Sequence, residues 1–172
     1  MTYEVNVVEY NPEWPKQFKL DRARIIEVLG DQALAVEHIG STSVAGLPAK
    51  PILDIAVAVK DLRAADSFVE PLQSIGYEYV PKEEFPKRRF FRKGEWRKGT
   101  HHLHVYELAS EEWENQLGFR NYLRNHPDAL RQYAELKKKL AHLYPDDRIT
   151  YTNEKAPFIQ SIIALAKAEG LS

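Results

Sequence analysis

The stretch that most restricts what this chain can fold into is Pro51 to Val59, PILDIAVAV. It is nearly all β-branched or small apolar residues with one acid in its middle, which reads as a strand covered on both faces. A strand of that kind demands layers of structure above and below it, and 172 residues with 44% hydrophobic content can supply them. The acid, Asp54, is costly to bury unless it is paired, hydrogen-bonded or bound to a cation.

What precedes this strand suggests what Asp54 faces. Ala33 to Ile39 (ALAVEHI) is an apolar run that stops at Gly40, as a buried strand ending in a tight turn would. Gly40 lets backbone approach a ligand closely. Ser41, Thr42 and Ser43 offer hydroxyls and backbone N–H groups at what reads as the start of a short helix, an arrangement that attracts phosphate oxygens. Ser-Thr-Ser can also be a plain helix cap. Set beside Asp54, it is expected to floor a phosphate- and metal-handling pocket.

Thr100 to Leu108 (THHLHVYEL) is the second chemically rich stretch. On a strand, His102, His104 and Tyr106 point one way, and His101, Leu103, Val105 and Glu107 the other. If the His102 face looks onto Asp54, two imidazoles and a carboxylate make a divalent-metal shell, and nitrogen ligands favour Zn²⁺, Mn²⁺, Fe²⁺ or Ni²⁺ over Mg²⁺. Between Lys82 and Lys98 the charge turns positive, through Lys82, Lys87, Arg88, Arg89, Arg92, Lys93, Arg97 and Lys98. That segment is either a solvated hairpin or an electropositive rim on which Arg92 or Arg97 forks onto polyphosphate oxygens.

The remaining elements follow from periodicity and caps. Tyr3 to Tyr10 reads as an edge strand. Asn11 and Pro12 open a helix carrying Trp14, Phe18, Ile25 and Leu29 inward to Gly30. Asp61 caps a helix running through Ser74, and Gly76 ends it. The order is strand, crossover, strand, helix, strand. Tyr77 to Val80, Arg89 to Arg92 and His102 to Leu108 read as strands, antiparallel because their connections are short. From Ser110 the chain is helical. Trp113, Leu117 and Tyr122 face inward on the first helix, Leu130, Tyr133, Leu136, Leu140 and Leu143 on the second, and Phe158, Ile162 and Leu165 on a last helix capped by Thr152 or Asn153.

These segments resemble the nucleotidyltransferase superfamily, in which an apolar residue and Gly-Gly or Gly-Ser precede, by about a dozen residues, a strand of the pattern Asp, apolar, acid, apolar. Gly40-Ser41, the spacer Thr42 to Leu53, and Asp54-Ile55 match it. More narrowly the chain is similar to the GrpB family, through Glu13-Trp14, Gln17-Phe18, HIGSTSV, AKPILDI, HHLHV, FRNYLR, Tyr151, Lys155 and Phe158-Ile159. The resemblance implies an α+β fold, a nucleotidyltransferase-like mixed β-sheet flanked by helices with a C-terminal helical segment. It implies one domain over 1–172, with an α/β core in 1–109 and a helical part in 110–172 packed on it. One departure matters: where the superfamily has its second acid, this chain has Ala56. With Asp54 alone a two-Mg²⁺ centre is hard to build.

Formal net charge is -1, so bulk charge advertises neither nucleic acid nor an anionic membrane as a partner. Cysteine is absent, which excludes disulfides and thiolate metal sites and makes a cytoplasmic chain the expectation. No apolar stretch reaches the length of a membrane span, and the N-terminal segment lacks a signal-like pattern. The leading expectation is therefore a protein that binds a nucleotide or another phosphorylated small molecule and transfers a nucleotidyl group. In that reading Gly40, Ser41, Thr42, Ser43, Arg92 and Lys155 hold phosphates, Asp54, His102 and His104 hold a divalent metal (Mg²⁺ or Mn²⁺, with Zn²⁺ admitted by the histidines), Asp54 is catalytic, and His38, sharing a strand face with Gly40, is the candidate general base. For Lys155 an ordinary surface position is the competing reading. Two other functions stay open: a catalytically silent anion-binding module, and a single-metal hydrolase using an Asp/His/His site.

Overall fold

The strand around Asp54 is central to the computed structural model, which describes residues 5–95 and 98–170. This strand, β2 (Leu53–Val59), is buried at every position except Asp54. It pairs antiparallel with β1 (Ala35–Ile39) on one side. On the other side it pairs parallel with the strand running Lys98–Glu107. The outer strands are β3 (Glu78–Val80) and β4 (Arg88–Glu95), which makes the Lys98–Glu107 strand β5 and gives the sheet order β1-β2-β5-β4-β3. Among the described residues five α-helices accompany this sheet: α1 (Trp14–Leu29), α2 (Val69–Gln73), α3 (Glu111–Asn125), α4 (Pro127–Leu143) and α5 (Arg148–Ala168). The architecture is α+β, as the sequence implies.

Both faces of β2 are covered, by different partners. Ile55, Val57 and Val59 join Leu103, Val105 and Phe91 in packing against Ile25 and Leu29 of α1, with Phe68 and Leu72. Each such side chain contributes about 1.5–3 kcal/mol by leaving water. On the opposite face Ala56, Ala58 and Tyr106 lie with Ile39 under Trp113 of α3. The small residues alternate with large ones because α3 approaches that face closely. A third cluster ties the chain after β1 to the helices: Val44 and Leu47 insert among Phe119, Tyr122, Leu123, Tyr133 and Ile162.

Several expectations need correction. β1 and β2 are antiparallel, so residues 40–52 form no crossover but a loop anchored by Val44 and Leu47. β5 is antiparallel to β4, as expected, yet parallel to β2. The segment after Asp61 is a 3-10 stretch, Leu62–Phe68, before the short α2. Pro71 has no amide to donate to the carbonyl of Ser67, so an α-helical ladder cannot run through. The last helix starts at Arg148, where the Asp147 carboxylate accepts from Thr150 N (3.1 Å) and Thr150 Oγ1 (2.5 Å), earlier than Thr152 or Asn153. Ala166 takes the inward place expected of Leu165, which is exposed, and Leu143 is exposed as well. Of the expected Tyr3 to Tyr10 strand, Tyr3 and Glu4 lie outside the described residues. In the rest, Val8 makes an isolated antiparallel bridge to Ala49. No described helix is long and apolar enough to cross a membrane.

Candidate functional site

Gly40 turns the chain out of β1 at φ 71°, ψ -172°, a conformation natural only to glycine. It sits directly against Asp54: a Cβ built there would meet Asp54 Oδ2 at 2.6 Å. Residues Ser41–Ser43 then form a single 3-10 turn. Ser43 Oγ donates to Gly40 O at 2.5 Å, and Ser43 O accepts from Arg124 Nε and Nη2 at 3.1 and 2.7 Å. Arg120 Nη1 donates to His38 O at 3.0 Å and to Glu37 Oε2 at 2.8 Å. The two arginines of α3 thus hold the turn's backbone in place, and Ser43 is committed to the same task.

The turn opens into a cavity of about 270 Å³ lined by Ser41, Thr42, Lys50, Asp54, His102, Lys137, Arg148, Tyr151 and Lys155, among others. Three parts of the chain converge here. The 40–52 loop brings Ser41 and Lys50, α4 brings Lys137 one turn after Tyr133, and α5 brings Arg148, Tyr151 and Lys155, whose i, i+3, i+7 spacing puts them on one helix face. Lys137 is 2% exposed, and its ammonium donates to Ser41 Oγ (2.6 Å) and Pro48 O (3.0 Å). The ammonium groups of Lys50 and Lys155 lie over the Tyr151 ring, 5.1 and 4.6 Å from its centroid. The buried Tyr151 hydroxyl has no hydrogen-bond partner among the described residues.

Crowding these cations depresses their basicity. Burial first, then the charges of Lys155 and Arg148, pull the Lys50 amine down to about 8. Burial, with Lys155 and Lys50 adding repulsion, holds Lys137 well below the usual range, and burial lowers Lys155. Among the described residues Asp54 is the one acid lining the cavity. Its burial alone would raise the carboxyl, but the hydrogen bond from His104 and the histidine charges keep it below the ordinary carboxylate range.

The expected residues divide. Asp54, Ser41, Thr42, His102 and Lys155 come together at the cavity. His104 stands beside them, Nε2 3.3 Å from Asp54 Oδ1, while His102 Nδ1 lies 3.7 Å from the same oxygen. His38, the candidate base, lies on the other face of the sheet from Asp54. It pairs with Ile55, so its ring lies on the α1 side of the sheet, stacked on Phe18 at 4.8 Å and bonded to Thr42 Oγ1 at 2.8 Å. Burial, then the nearby arginine charges, lower that ring to about 4 against the opposing charge of Asp54. Arg92 does not line the cavity. Its Nη2 donates to Glu95 O at 2.6 Å and its Nη1 approaches Glu78 at 3.5 Å. Arg97 lies outside the described residues.

Lys50, Lys137 and Arg148 did not stand out from the sequence. Lys137 carried a readable signal: on α4 it interrupts the inward row Tyr133, Leu136, Leu140, where a lysine is out of place unless it reaches something.

The donors give a direct test of the two-ion centre that a nucleotidyltransferase-like site implies. Such a centre bridges its ions with clustered carboxylates. Here the position two residues beyond Asp54 is Ala56, fully buried with Ile39, Ala58, Tyr106 and Trp113. The residues do not fit a two-ion centre. Among the described residues no group of three or more His, Cys, Asp or Glu is arranged to hold a metal.

Comparison with known proteins agrees with this picture of the fold. The UPF0157 protein YqkA of Bacillus subtilis (strain 168) is 37% identical over 164 residues, covering 95% of this chain, which spans only 48% of YqkA. The crystal structure of the conserved protein GrpB from Enterococcus faecalis superposes with a TM-score of 0.89 at 40% identity, over 95% of this chain and 98% of that one. A more distant likeness, in fold alone, is to the Cid1 poly(U) polymerase solved with MgGTP: TM-score 0.54, 16% identity, 78% of this chain and 44% of Cid1. The family model described as GrpB protein matches residues 4–165, and the chain accordingly belongs to the GrpB family, built on a nucleotidyltransferase-like fold.

Proposed function

We propose that the cavity beside Asp54 binds the phosphate groups of a nucleotide or another phosphorylated small molecule. One observation carries this reading: Lys50, Lys137, Arg148 and Lys155 converge with Ser41 on one cavity that holds a single acid. Fixed cations and hydroxyl donors in a partly enclosed site suit phosphate oxygens, and little else rewards bringing three lysines together out of water. In this reading Lys50, Lys155 and Arg148 contact phosphate, and Ser41, held by Lys137, donates to it. A nucleotidyl transfer would place its acceptor near Asp54, the acid adjoining the phosphates. The crystallised Cid1 neighbour, with MgGTP bound, lends support by fold analogy only.

A second reading, a single-metal hydrolase, draws on the 3.3 and 3.7 Å approaches of His104 and His102 to Asp54 Oδ1. Both imidazoles approach one carboxylate oxygen, and because the three groups are not arranged as a metal shell, an ion there would require the rings to turn around it.

Thermal unfolding of the purified protein with ATP, CTP, GTP, coenzyme A and inorganic phosphates, alongside metal analysis, tests both. Phosphate binding predicts a ligand-dependent rise in Tm, worth ~2.7 kcal/mol at a hundred times Kd, that Lys155→Met removes. A flat response to every phosphorylated ligand would refute the first reading. Tightly held Zn²⁺ or Mn²⁺ at one per chain, released by His104→Ala, would favour the second.

A further inference from the structure

We infer that this cavity takes its polyphosphate as the bare anion, with lysine ammonium groups supplying the neutralisation that a pair of divalent ions supplies in a two-ion transferase. The inference rests on the phosphate-binding reading above and adds the state in which the ligand is bound.

The donor set points away from metal bridging. Among the described residues Asp54 is the only acid lining the cavity, and Ala56 occupies the place from which a second carboxylate on the same strand face would reach the same ions. Ala56 is packed at 0% exposure, with no room beside it for an ion. The charge present is of the opposite kind. Three lysines, Lys50, Lys137 and Lys155, against Asp54 leave a surplus of two positive charges when all are protonated, with Arg148 lining the same cavity. A divalent ion riding on the phosphates would cancel two ligand charges and weaken the match.

The lysines are also pre-positioned. Among the described residues Lys50, Lys137 and Lys155 make no salt bridge. They are fixed instead by neutral groups: Lys50 and Lys155 over the Tyr151 ring, Lys137 by Ser41, Pro48 and the Tyr133 ring 5.0 Å away. Cations held this way keep their charge available for a ligand, where carboxylate partners would have neutralised it. Burial first, and then repulsion from neighbouring cations, lowers Lys50 and Lys137; an arriving anion stabilises their charged forms, so binding draws protons onto the amines. Asp54 works against a bare anion, and the inference therefore gives its removal an unusual sign.

Isothermal titration of the full chain with ATP and with inorganic tripolyphosphate, in EDTA and in excess Mg²⁺ near pH 8, decides the matter. The expected result is binding in EDTA at least as tight as in Mg²⁺, with Mg²⁺ weakening it by about tenfold. Repeating the titration in buffers of different ionisation enthalpy should reveal proton uptake. Lys50→Met and Lys155→Met, each checked for folding by circular dichroism, should weaken binding about tenfold or more. Asp54→Asn should tighten it. Binding that needs Mg²⁺ and vanishes in Asp54→Asn overturns the inference while leaving the phosphate-binding reading intact. No binding of either probe in either condition overturns both.

Discussion

Replacing Gly40 by alanine separates two strains that the structure places at one residue. The backbone there has φ 71° and ψ -172°, where any side chain costs ~1–3 kcal/mol. The new Cβ would also lie 2.6 Å from Asp54 Oδ2, 3.0 Å from Asp54 Cβ and 3.2 Å from Asp54 Cγ. Asp54 cannot simply swing aside, because His104 Nε2 holds its other oxygen. Crowding of this kind adds ~1–3 kcal/mol, for a total of ~2–6 kcal/mol. Gly30 is an internal control: its φ of 61° and ψ of -143° are similarly strained, yet nothing lies within 4 Å of a Cβ built on it. Gly30→Ala should therefore show the backbone component alone. Urea unfolding of both variants should put Gly40→Ala lower in stability than Gly30→Ala by ~1–3 kcal/mol, at unchanged m-value. A 3 kcal/mol loss would lower Tm by about 6–12 °C in a chain of this size. Adding Asp54→Ala to Gly40→Ala should return much of the crowding component. Equal losses in the two glycine variants, within ~0.5 kcal/mol, would show that the Asp54 carboxylate is not seated against the turn.

Three further outcomes follow from the same geometry. Arg124→Ala leaves Ser43 O without its charged donors and should cost ~1.5–3 kcal/mol in urea unfolding, with faster amide exchange through residues 41–44. His38, lowered from 6.5 to about 4 in the folded chain, stays neutral where the unfolded chain would bind a proton; stability is thus full above about pH 6.5 and falls as pH drops towards 4, by up to ~3 kcal/mol. His38→Gln should flatten that part of the stability profile. Lys137→Met removes a buried charge, which stabilises, and strips Ser41 Oγ and Pro48 O of their donor, which destabilises by a similar ~1–3 kcal/mol. Its unfolding free energy should stay within ~1 kcal/mol of wild type while phosphate binding weakens at least tenfold; a loss beyond ~3 kcal/mol would make Lys137 a structural residue first.

The sequence by itself determined the scaffold of the site. β2 was legible because seven successive residues had to be buried and only Asp54 resisted, and Gly40 because a strand ending in glycine before three hydroxyl residues announces a turn. The His102–His104 face was legible for the same reason: strand periodicity is local and fixes which side chains share a side. Direction and company were not local. That β5 lies parallel to β2 and sets His102 opposite Asp54, and that His38 pairs with Ile55 and so turns away, are matters of register between strands far apart in the chain. The cavity's charge was decided later still. Lys155 was expected at the phosphates through the family resemblance and Lys137 carried a readable signal as a lysine in an inward row, but that these two meet Lys50 and Arg148, from a loop and two helices, is not written in their spacing along the chain. Only the packing of Val44 and Leu47 into the α3–α4–α5 cluster draws them around Asp54, because hydrophobic contact sets where helices dock and the polar groups they carry arrive with them.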